Sequence, residues 1–265
     1  MSDLIAPRIF CVGTHHKTGT LWMRAVFRRL ATRLGVEKRV VFPSTRKRIP
    51  PRERIFLFSW SSTFPDDLLA RPDARILHVI RDPRDVLLSG MRYHRHAPVK
   101  GEQFLHVPRD DLAGRTYQEH LNALPDDLAR LRFEMDEKHA LTLSEMLAWD
   151  YTAPNRVETR YEDLIADVDC TLFRDRLRNL GLTEPEVAMG VEIFWKNALF
   201  GGLARPEDRI ERVAKHVASG RAGQWRTRLP RPIAEAYAER YGEALVTLGY
   251  AEHPTRWLSD LRAEA

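Results

Sequence analysis

The stretch that decides the fold is IFCVGTHHKTGTLW, which runs from Ile9 to Trp22. Its first six residues are mostly apolar and predict a buried strand, and a turn rich in Gly, Thr and Lys follows them. Apolar residues then recur at helical spacing, as Met23, Val26, Phe27, Leu30 and Leu34. The pattern predicts a strand, a tight turn and an amphipathic helix that begins at the turn.

The residues of this turn are those of a phosphate-binding site. N–H groups at the start of a helix lack an internal acceptor and carry the positive end of the helix dipole. Lys17 adds a full positive charge, Thr18 and Thr20 add hydroxyl donors, and Gly19 permits a positive φ or a close backbone approach. Trp22 offers a flat apolar face for a nucleobase. We therefore expect nucleotide phosphates here, and a basic turn without a ligand is the alternative.

The order of residues in the turn differs from that of the common ATP-binding loop. In that loop Gly directly precedes Lys, and Ser or Thr directly follows it. Here Gly19 follows Lys17 instead, although Thr18 could still hold magnesium beside the lysine. The sequence shows no second metal-binding motif, so no metal is predicted. A P-loop phosphotransferase, a kinase that uses ATP and magnesium, is the alternative function.

A second junction between a strand and a helix reads RILHVIRDPRDVLLSG, from Arg75 to Gly90. Asp82 is expected to cap the helix, so that Arg81 lies at the carboxyl end of a strand, the edge where α/β sheets bind ligands. Arg81 can hold a phosphate through two parallel hydrogen bonds. Ser89, about two turns along the helix, can add a hydroxyl from the same side. This junction predicts a second phosphate site.

Together the two segments resemble the sulfotransferases that use 3′-phosphoadenosine 5′-phosphosulfate (PAPS). The resemblance implies that Lys17 and the backbone from Thr18 to Leu21 bind the sulfate-bearing 5′-phosphate. It also implies that Trp22 stacks on the adenine, and that Arg81 and Ser89 bind the 3′-phosphate. The donor co-substrate would therefore be PAPS, used without a metal.

Later motifs fit the same family. They are RYEDL from Arg160, LFGGL from Leu199 and GRAGQW from Gly220. By the resemblance, Tyr161 would reach the adenine and Phe200 would close the other face of the base. Gly220 would let a loop fold over the 3′-phosphate. The alternative for the aromatic residues is ordinary packing.

The sequence departs from the family where chemistry is expected. Ala218 and Ser219 stand where cytosolic members have a basic pair, so Arg221 would have to supply the lost positive charge. The strand predicted at residues 54–59 is followed by Trp60–Ser62, without the histidine base of those members. A scaffold protein that binds the nucleotide and has lost catalysis is therefore a further alternative.

Sulfuryl transfer requires a cation at the leaving oxygen and a base for the acceptor proton. Lys17 is the candidate for the cation, and a base typically contributes on the order of 10²- to 10⁴-fold in rate. His15 and His16 are the nearest candidates for the base, because imidazole titrates near neutral pH. Either histidine could instead be a packing residue. A carboxylate base could come from elsewhere, with candidates at Asp66, Asp67 and Glu134.

Composition and periodicity predict a single α/β domain spanning residues 1–265, with 43% hydrophobic residues. We expect a parallel sheet flanked by helices, in a P-loop-like three-layer sandwich, with strands near 8–13, 54–59, 75–81 and 156–160. Residues 93–149 are expected to roof an acceptor pocket, and plain helical packing is the alternative. The acceptor would be a hydroxyl, or an amine, of a small molecule, lipid or saccharide.

Net charge, apolar runs and cysteines bear on the partners and the location of the protein. The net charge is +5, with dense clusters at residues 46–48 and 226–231, but acids are interspersed and no nucleic-acid motif is present, so no nucleic-acid partner is expected. Arg84 and Asp85 are expected to be capping and solvated charges. No apolar run reaches membrane-spanning length and the first seven residues lack signal-peptide features, which predicts a cytoplasmic protein. Cys11 and Cys170 predict neither a zinc site nor a disulfide.

Overall fold

Five parallel strands form the sheet in the computed structural model, which describes residues 6–41, 54–204 and 220–262. The strands in chain order are β1 (Ile9–Thr14), β2 (Glu37–Val40), β3 (Ile55–Ser59), β4 (Ala74–Ile80) and β5 (Arg156–Arg160). Their order across the sheet is β2-β3-β1-β4-β5, and every neighbouring pair is parallel. The predicted α/β class is confirmed, and each of the predicted strands ends within one residue of its expected bounds.

Strand β2 was absent from the sequence-based prediction. It reads EKRV, lies at one edge of the sheet and pairs only with β3 among the described strands. None of its residues is buried, whereas every residue of β1 and β3 is. An edge strand with polar side chains has no apolar pattern to mark it, because one side of it faces water.

The helices divide between two compact units of the chain. The first unit comprises residues up to Arg81 and from Ala148 to Ala222, and the second comprises Asp82–Leu147 and the chain from Gly223. The helices of the first unit are α1 (Thr20–Arg33), α2 (Asp66–Leu69), α7 (Tyr161–Ala166), α8 (Thr171–Asn179) and α9 (Glu184–Lys196). Those of the second are α3 (Pro83–His94), α4 (Tyr117–Ala123), α5 (Asp127–Asp136), α6 (Lys138–Leu147), α10 (Trp225–Arg228) and α11 (Arg231–Thr247). Whether the units act as the single domain expected for residues 1–265 stays a prediction.

Alternate residues of the central strands build two apolar layers in the first unit. Phe10 and Val12 of β1 face one side, where α1, α8 and α9 pack. Ile9 and Cys11 face the other side, with Leu68 of α2. This alternation follows from the two-residue period of a strand, and the sheet is covered on both faces, as parallel sheets usually are. Burial also raises the pKa of the Cys11 thiol, which makes it an inert core residue.

The second unit has its own apolar core, to which residues far apart in the sequence contribute. Leu87 and Met91 of α3 pack with Tyr117, and Trp225 and Tyr237 belong to the same cluster. Short 3₁₀ turns at Gln103–His106 and Asp110–Leu112 lie between α3 and α4. Each unit therefore has its own apolar core, and residues from both of its chain segments contribute to that core.

The expectation that Arg84 and Asp85 are solvated is wrong, because both side chains are buried in the second unit. Asp82 caps α3, as predicted, and also receives two hydrogen bonds from the Arg84 guanidinium, at 2.9 and 2.8 Å. That guanidinium lies 3.7 Å from the ring centroid of Trp225. Asp85 accepts the N–H groups of Gly223 and Trp225 at 2.7 and 2.9 Å. These charges are structural, since they join α3 to Gly223 and Trp225 of the same unit.

The described ranges of the chain can be compared with the expectations for membrane spans and metal ligands. None of the helices there is long and apolar enough to cross a membrane. No group of three or more His, Cys, Asp or Glu side chains in those ranges is placed to hold a metal ion. The basic cluster at residues 46–48 and the pair Ala218 and Ser219 lie outside the described residues.

Candidate functional site

The turn after β1 has a backbone that only a few residue types adopt. Gly19 has a φ of 99°, and a Cβ atom placed on it would lie 3.0 Å from Cδ2 of Tyr161. Lys17 also lies in the left-handed region, with a φ of 64°, which costs a non-glycine residue about 1 kcal/mol or more. Helix α1 begins directly after Gly19, at Thr20. The turn is therefore strained at Lys17, and a side chain at Gly19 would be strained by its positive φ and would crowd the Tyr161 ring.

The threonine hydroxyls of this turn hold the loop itself together. Thr18 Oγ1 accepts the N–H of His15 at 2.8 Å and lies 3.0 and 3.1 Å from the carbonyl oxygens of His15 and Val79. Thr20 Oγ1 donates to the same His15 carbonyl at 2.8 Å. The first intrahelical bond of α1 runs from Met23 N to Gly19 O, so the preceding N–H groups have no acceptor within the helix. Backbone N–H groups, more than hydroxyls, are what this turn offers to an anion.

Residues from three distant motifs meet around the guanidinium of Arg81. Arg81 follows β4 directly and donates from Nη1 to the carbonyl of Lys17 at 3.2 Å and from Nη2 to that of Arg221 at 3.4 Å. Its Cζ lies 4.5 Å from the ring centroid of Tyr161, whose hydroxyl donates to the carbonyl of Gly220 at 3.1 Å. The structure thus brings these predicted site residues together within the first unit.

The aromatic residues predicted to bind adenine also lie side by side. Trp22 has the ring of Tyr161 edge-on at 6.4 Å and that of Phe200 edge-on at 6.3 Å, both measured between centroids. One face of Trp22 is covered by Phe194, which stacks on it at 4.7 Å and 20°. A nucleobase could therefore stack only on the opposite face of Trp22. Phe194 belongs to α9 and was not among the predicted site residues.

For the other predicted site residues, the structure gives a position and a degree of burial. Ser89 lies half-buried on α3 in the second unit, and its role stays a prediction. Of the candidate bases, His15 is fully buried and His16 is half-buried. Asp66 and Asp67 form the first turn of α2. Glu134 is buried in the second unit, where it accepts hydrogen bonds from His94 and Tyr117 (2.7 and 2.8 Å).

A chain of hydrogen-bonded side chains behind the turn was not predicted from the sequence. In the sheet register, His78 of β4 lies beside Gly13 of β1 and beside Glu158 of β5. Its Nε2 is 2.9 Å from Nε2 of His15, and its Nδ1 is 2.7 Å from Oε2 of Glu158. Trp149 donates its indole N–H to Oε1 of Glu158 at 2.7 Å and stacks on His78 at 4.2 Å. The available signal was a histidine within the apolar run RILHVI, since a buried polar side chain needs a partner.

Burial determines the charge state of His78. Its ring is fully buried, and desolvation lowers its pKa below the ordinary value for histidine, although the hydrogen bond and charge of Glu158 act in the opposite direction. His78 is therefore neutral at neutral pH, with one protonated ring nitrogen.

Comparison with solved structures assigns the fold to a known class. The chain matches mouse sulfotransferase SULT7A1 complexed with PAP (adenosine 3′,5′-bisphosphate) at a TM-score of 0.57 and 16% identity, over 92% of this chain and 89% of that one. It also matches retinol dehydratase in complex with androsterone and the inactive cofactor PAP, at 0.52 and 15%, over 91% and 81% of the two chains.

Similarity at this level of identity concerns the fold alone. No protein-family model matches the sequence, and no curated protein matches it. The protein therefore has the fold of the sulfotransferases, as the resemblance of its two phosphate motifs predicts. A fold does not determine an activity, which depends on the residues of the site.

Proposed function

We propose that this protein is a sulfotransferase that moves a sulfuryl group from PAPS to a hydroxyl, or less readily an amine, of a small molecule, lipid or saccharide. The observation that supports it most is that the Arg81 guanidinium contacts the carbonyls of Lys17 and Arg221 and the ring of Tyr161. A nucleotide with phosphates at two positions requires cations and aromatic surface close together, and these residues supply both. The sulfotransferase fold agrees with this proposal.

The residues present fit the proposed donor. Gly19 leaves no side chain between the backbone and an anion, and α1 begins at the turn with N–H groups that have no acceptor within the helix. Lys17 and Arg81 both carry positive charge, and the Arg81 guanidinium donates to the backbone carbonyl of Lys17. Phe194 covers one face of Trp22, so a base would stack on the other face.

Sulfuryl transfer requires positive groups that stabilise the negative charge on the donor. PAPS supplies a sulfuryl group bonded to a phosphate that can leave. In this proposal Lys17 neutralises the charge that develops on the oxygen of that phosphate, and the N-terminus of α1 holds the sulfate oxygens. Arg81 binds the 3′-phosphate, and Arg221, which is exposed, adds positive charge beside it.

The candidate for the general base is chosen by its exposure to an acceptor. A base must contact the acceptor hydroxyl, and His16 is half-buried whereas His15 is fully buried and hydrogen-bonded at Nε2 to His78. We therefore assign the base to His16. The acceptor oxygen forms a bond to sulfur as the bond from sulfur to the phosphate oxygen breaks, and the acceptor proton passes to the His16 ring.

The kinase alternative is disfavoured by the position of Thr18. Its hydroxyl would have to coordinate magnesium beside Lys17. In the structure that oxygen accepts the N–H of His15 and lies within hydrogen-bond distance of two carbonyl oxygens. Moving it to a metal would leave those groups unsatisfied in a buried turn.

Calorimetry tests the proposal. We expect adenosine 3′,5′-bisphosphate to bind in the presence of EDTA, and ATP with magnesium to bind more weakly. Binding of ATP that requires magnesium, with no response to the bisphosphate, would support the kinase and overturn the sulfotransferase. Bisphosphate binding without turnover of PAPS on any hydroxyl or amine acceptor would favour the scaffold alternative.

Two variants separate the proposed roles. Lys17→Ala should lower turnover by about 10³-fold while weakening bisphosphate binding much less, because its charge acts on the departing oxygen. Arg81→Ala should weaken binding of the 3′-phosphorylated nucleotide selectively over adenosine 5′-phosphosulfate, with Arg81→Lys as the control that keeps charge without the forked donor. Equal losses of binding and turnover in Lys17→Ala would argue against its role.

A further inference from the structure

We infer that Glu158 and His78 are positioning residues that act through His15 to hold the phosphate-binding turn in its anion-binding conformation. The inference deepens the proposed function and rests on it for the identity of the anion. It concerns three side chains that lie behind the turn, on β5, on β4 and at the end of β1.

The direction of each hydrogen bond follows from the chemistry of its partners. A carboxylate only accepts, so the bond of 2.7 Å to Glu158 requires that His78 carries its proton on Nδ1. Because His78 is neutral, its Nε2 is then an acceptor. The bond of 2.9 Å between the two Nε2 atoms therefore requires that His15 donates from Nε2. One carboxylate thus fixes the tautomers of two buried histidines.

His15 transmits this constraint to the turn through its backbone. Its N–H is bound to Thr18 Oγ1, and its carbonyl receives hydrogen bonds from the Thr18 N–H at 3.2 Å and the Thr20 hydroxyl at 2.8 Å. These residues flank Lys17 and Gly19, whose left-handed backbone must be held against strain. An anchored His15 side chain therefore stabilises the conformation that presents the first N–H groups of α1.

Trp149 makes the inference testable with a substitution that keeps volume. In Glu158→Gln, the indole N–H of Trp149 still requires an acceptor where it now meets Oε1, so the amide oxygen must face Trp149. The amide NH₂ group must then face His78 Nδ1, which forces the proton of His78 to Nε2. Two N–H groups would now face each other between His78 and His15, unless His15 changes tautomer as well.

The experiment combines tautomer detection with ligand binding. Long-range ¹⁵N–¹H NMR of the histidine side chains should show Nδ1–H for His78 and Nε2–H for His15 in the wild-type protein without ligand. In Glu158→Gln the His78 tautomer should invert, the Gly19 and Thr20 amide signals should move, and bisphosphate binding should weaken about tenfold by calorimetry. The double variant Glu158→Gln, Trp149→Phe lets the amide rotate and should restore the tautomers and most of the affinity. Trp149→Phe alone should keep the wild-type tautomers.

The outcomes separate this inference from the proposed function. If the wild-type protein binds no bisphosphate while the tautomers and the turn amides respond as described, the proposed function is wrong and the coupling to the turn stands. If Glu158→Gln inverts the tautomer but leaves the turn amides and the affinity unchanged, the positioning role is overturned. Failure of the double variant to restore either readout would also overturn it.

Discussion

Two glutamate–histidine pairs, one in each unit, share their local geometry and differ in their surroundings. Nδ1 lies 2.7 Å from a carboxylate oxygen both in His78 with Glu158 and in His94 with Glu134, and both rings are fully buried. The Glu134 side chain is only 2% exposed, whereas that of Glu158 is 30% exposed. The same pair can therefore be a closed part of a core or one end of a connection.

The pair in the second unit is almost completely buried. Oε2 of Glu134 also accepts the Tyr117 hydroxyl at 2.8 Å, and a Cβ atom on Gly90 would lie 2.6 Å from Oε1. The pair in the first unit continues instead, from His78 to His15 and the phosphate-binding turn. The two pairs have the same internal geometry, so what distinguishes them is the further residue that each contacts, His15 in the first unit and Tyr117 in the second.

Glu134→Ala should give the largest change in stability. It removes a buried carboxylate, leaves the His94 ring and the Tyr117 hydroxyl without their acceptor, and opens a cavity, which together cost about 4 kcal/mol. Urea unfolding followed by fluorescence and circular dichroism measures the loss. A loss below about 1 kcal/mol would show that the closed pair is not structural. Glu134→Gln, which keeps the volume, should cost less.

Another buried histidine, His139, sharpens the comparison because its described partner is a hydroxyl and not a carboxylate. Its Nε2 lies 2.9 Å from the hydroxyl of Tyr237, and burial lowers its pKa to about 4. The unfolded chain binds this proton first, near pH 6.5, so stability is lost as the pH falls from about 6.5 to about 4. The loss should reach about 3 kcal/mol at the acid end.

Urea midpoints measured at several pH values across that window check the contribution of His139. The variant His139→Gln removes the titrating group, so its stability should fall less steeply with acid even if it is lower at pH 7.5. An unchanged slope would show that His139 is not the group responsible. The pKa of His78 is also lowered by burial, so part of the slope should remain.

Glu158→Ala should give the smallest change in stability, about 1 kcal/mol, because water can reach the partly exposed site and satisfy His78. Its effect should appear in ligand binding instead, as a loss of bisphosphate affinity smaller than that in Glu158→Gln, because water can accept from His78 Nδ1 whereas the amide NH₂ group cannot. The same urea and calorimetry measurements apply. If Glu158→Ala destabilises the protein as much as Glu134→Ala, the distinction between the closed and the connected pair fails.

The sequence predicts the sheet well where burial leaves a pattern. The strands β1, β3, β4 and β5 lie within one residue of their expected bounds, because buried parallel strands read as apolar runs. The edge strand β2 reads EKRV and was missed, since its position depends on pairing with β3 and not on its composition.

The candidate site is predicted only in part. Lys17, Arg81, Tyr161 and Gly220 belong to motifs recognisable by their order, and the structure brings them together. His78 and Glu158 could not be assigned, because their contact requires that β4 and β5 be neighbours in a known register. That adjacency depends on the topology of the sheet and not on local spacing.

The prediction that Arg84 and Asp85 are solvated fails for a related reason. Arg84 and Asp85 follow a helix cap and look solvated, yet their partners Gly223, Trp225 and Asp82 complete their hydrogen bonds and stacking in the second unit. Two of these partners lie more than a hundred residues further along the chain. Local sequence cannot reveal such a pairing.

The interleaved path of the chain through its two units has a consequence for synthesis on the ribosome. One of the two neighbours of β4 in the sheet is β5, which emerges only after Asp82–Leu147 has been made. Until then one edge of β4, with its apolar side chains, has no partner strand, and unpaired apolar edges favour aggregation. We expect a nascent chain stalled in this interval to need chaperones, because neither unit is complete as a continuous fragment.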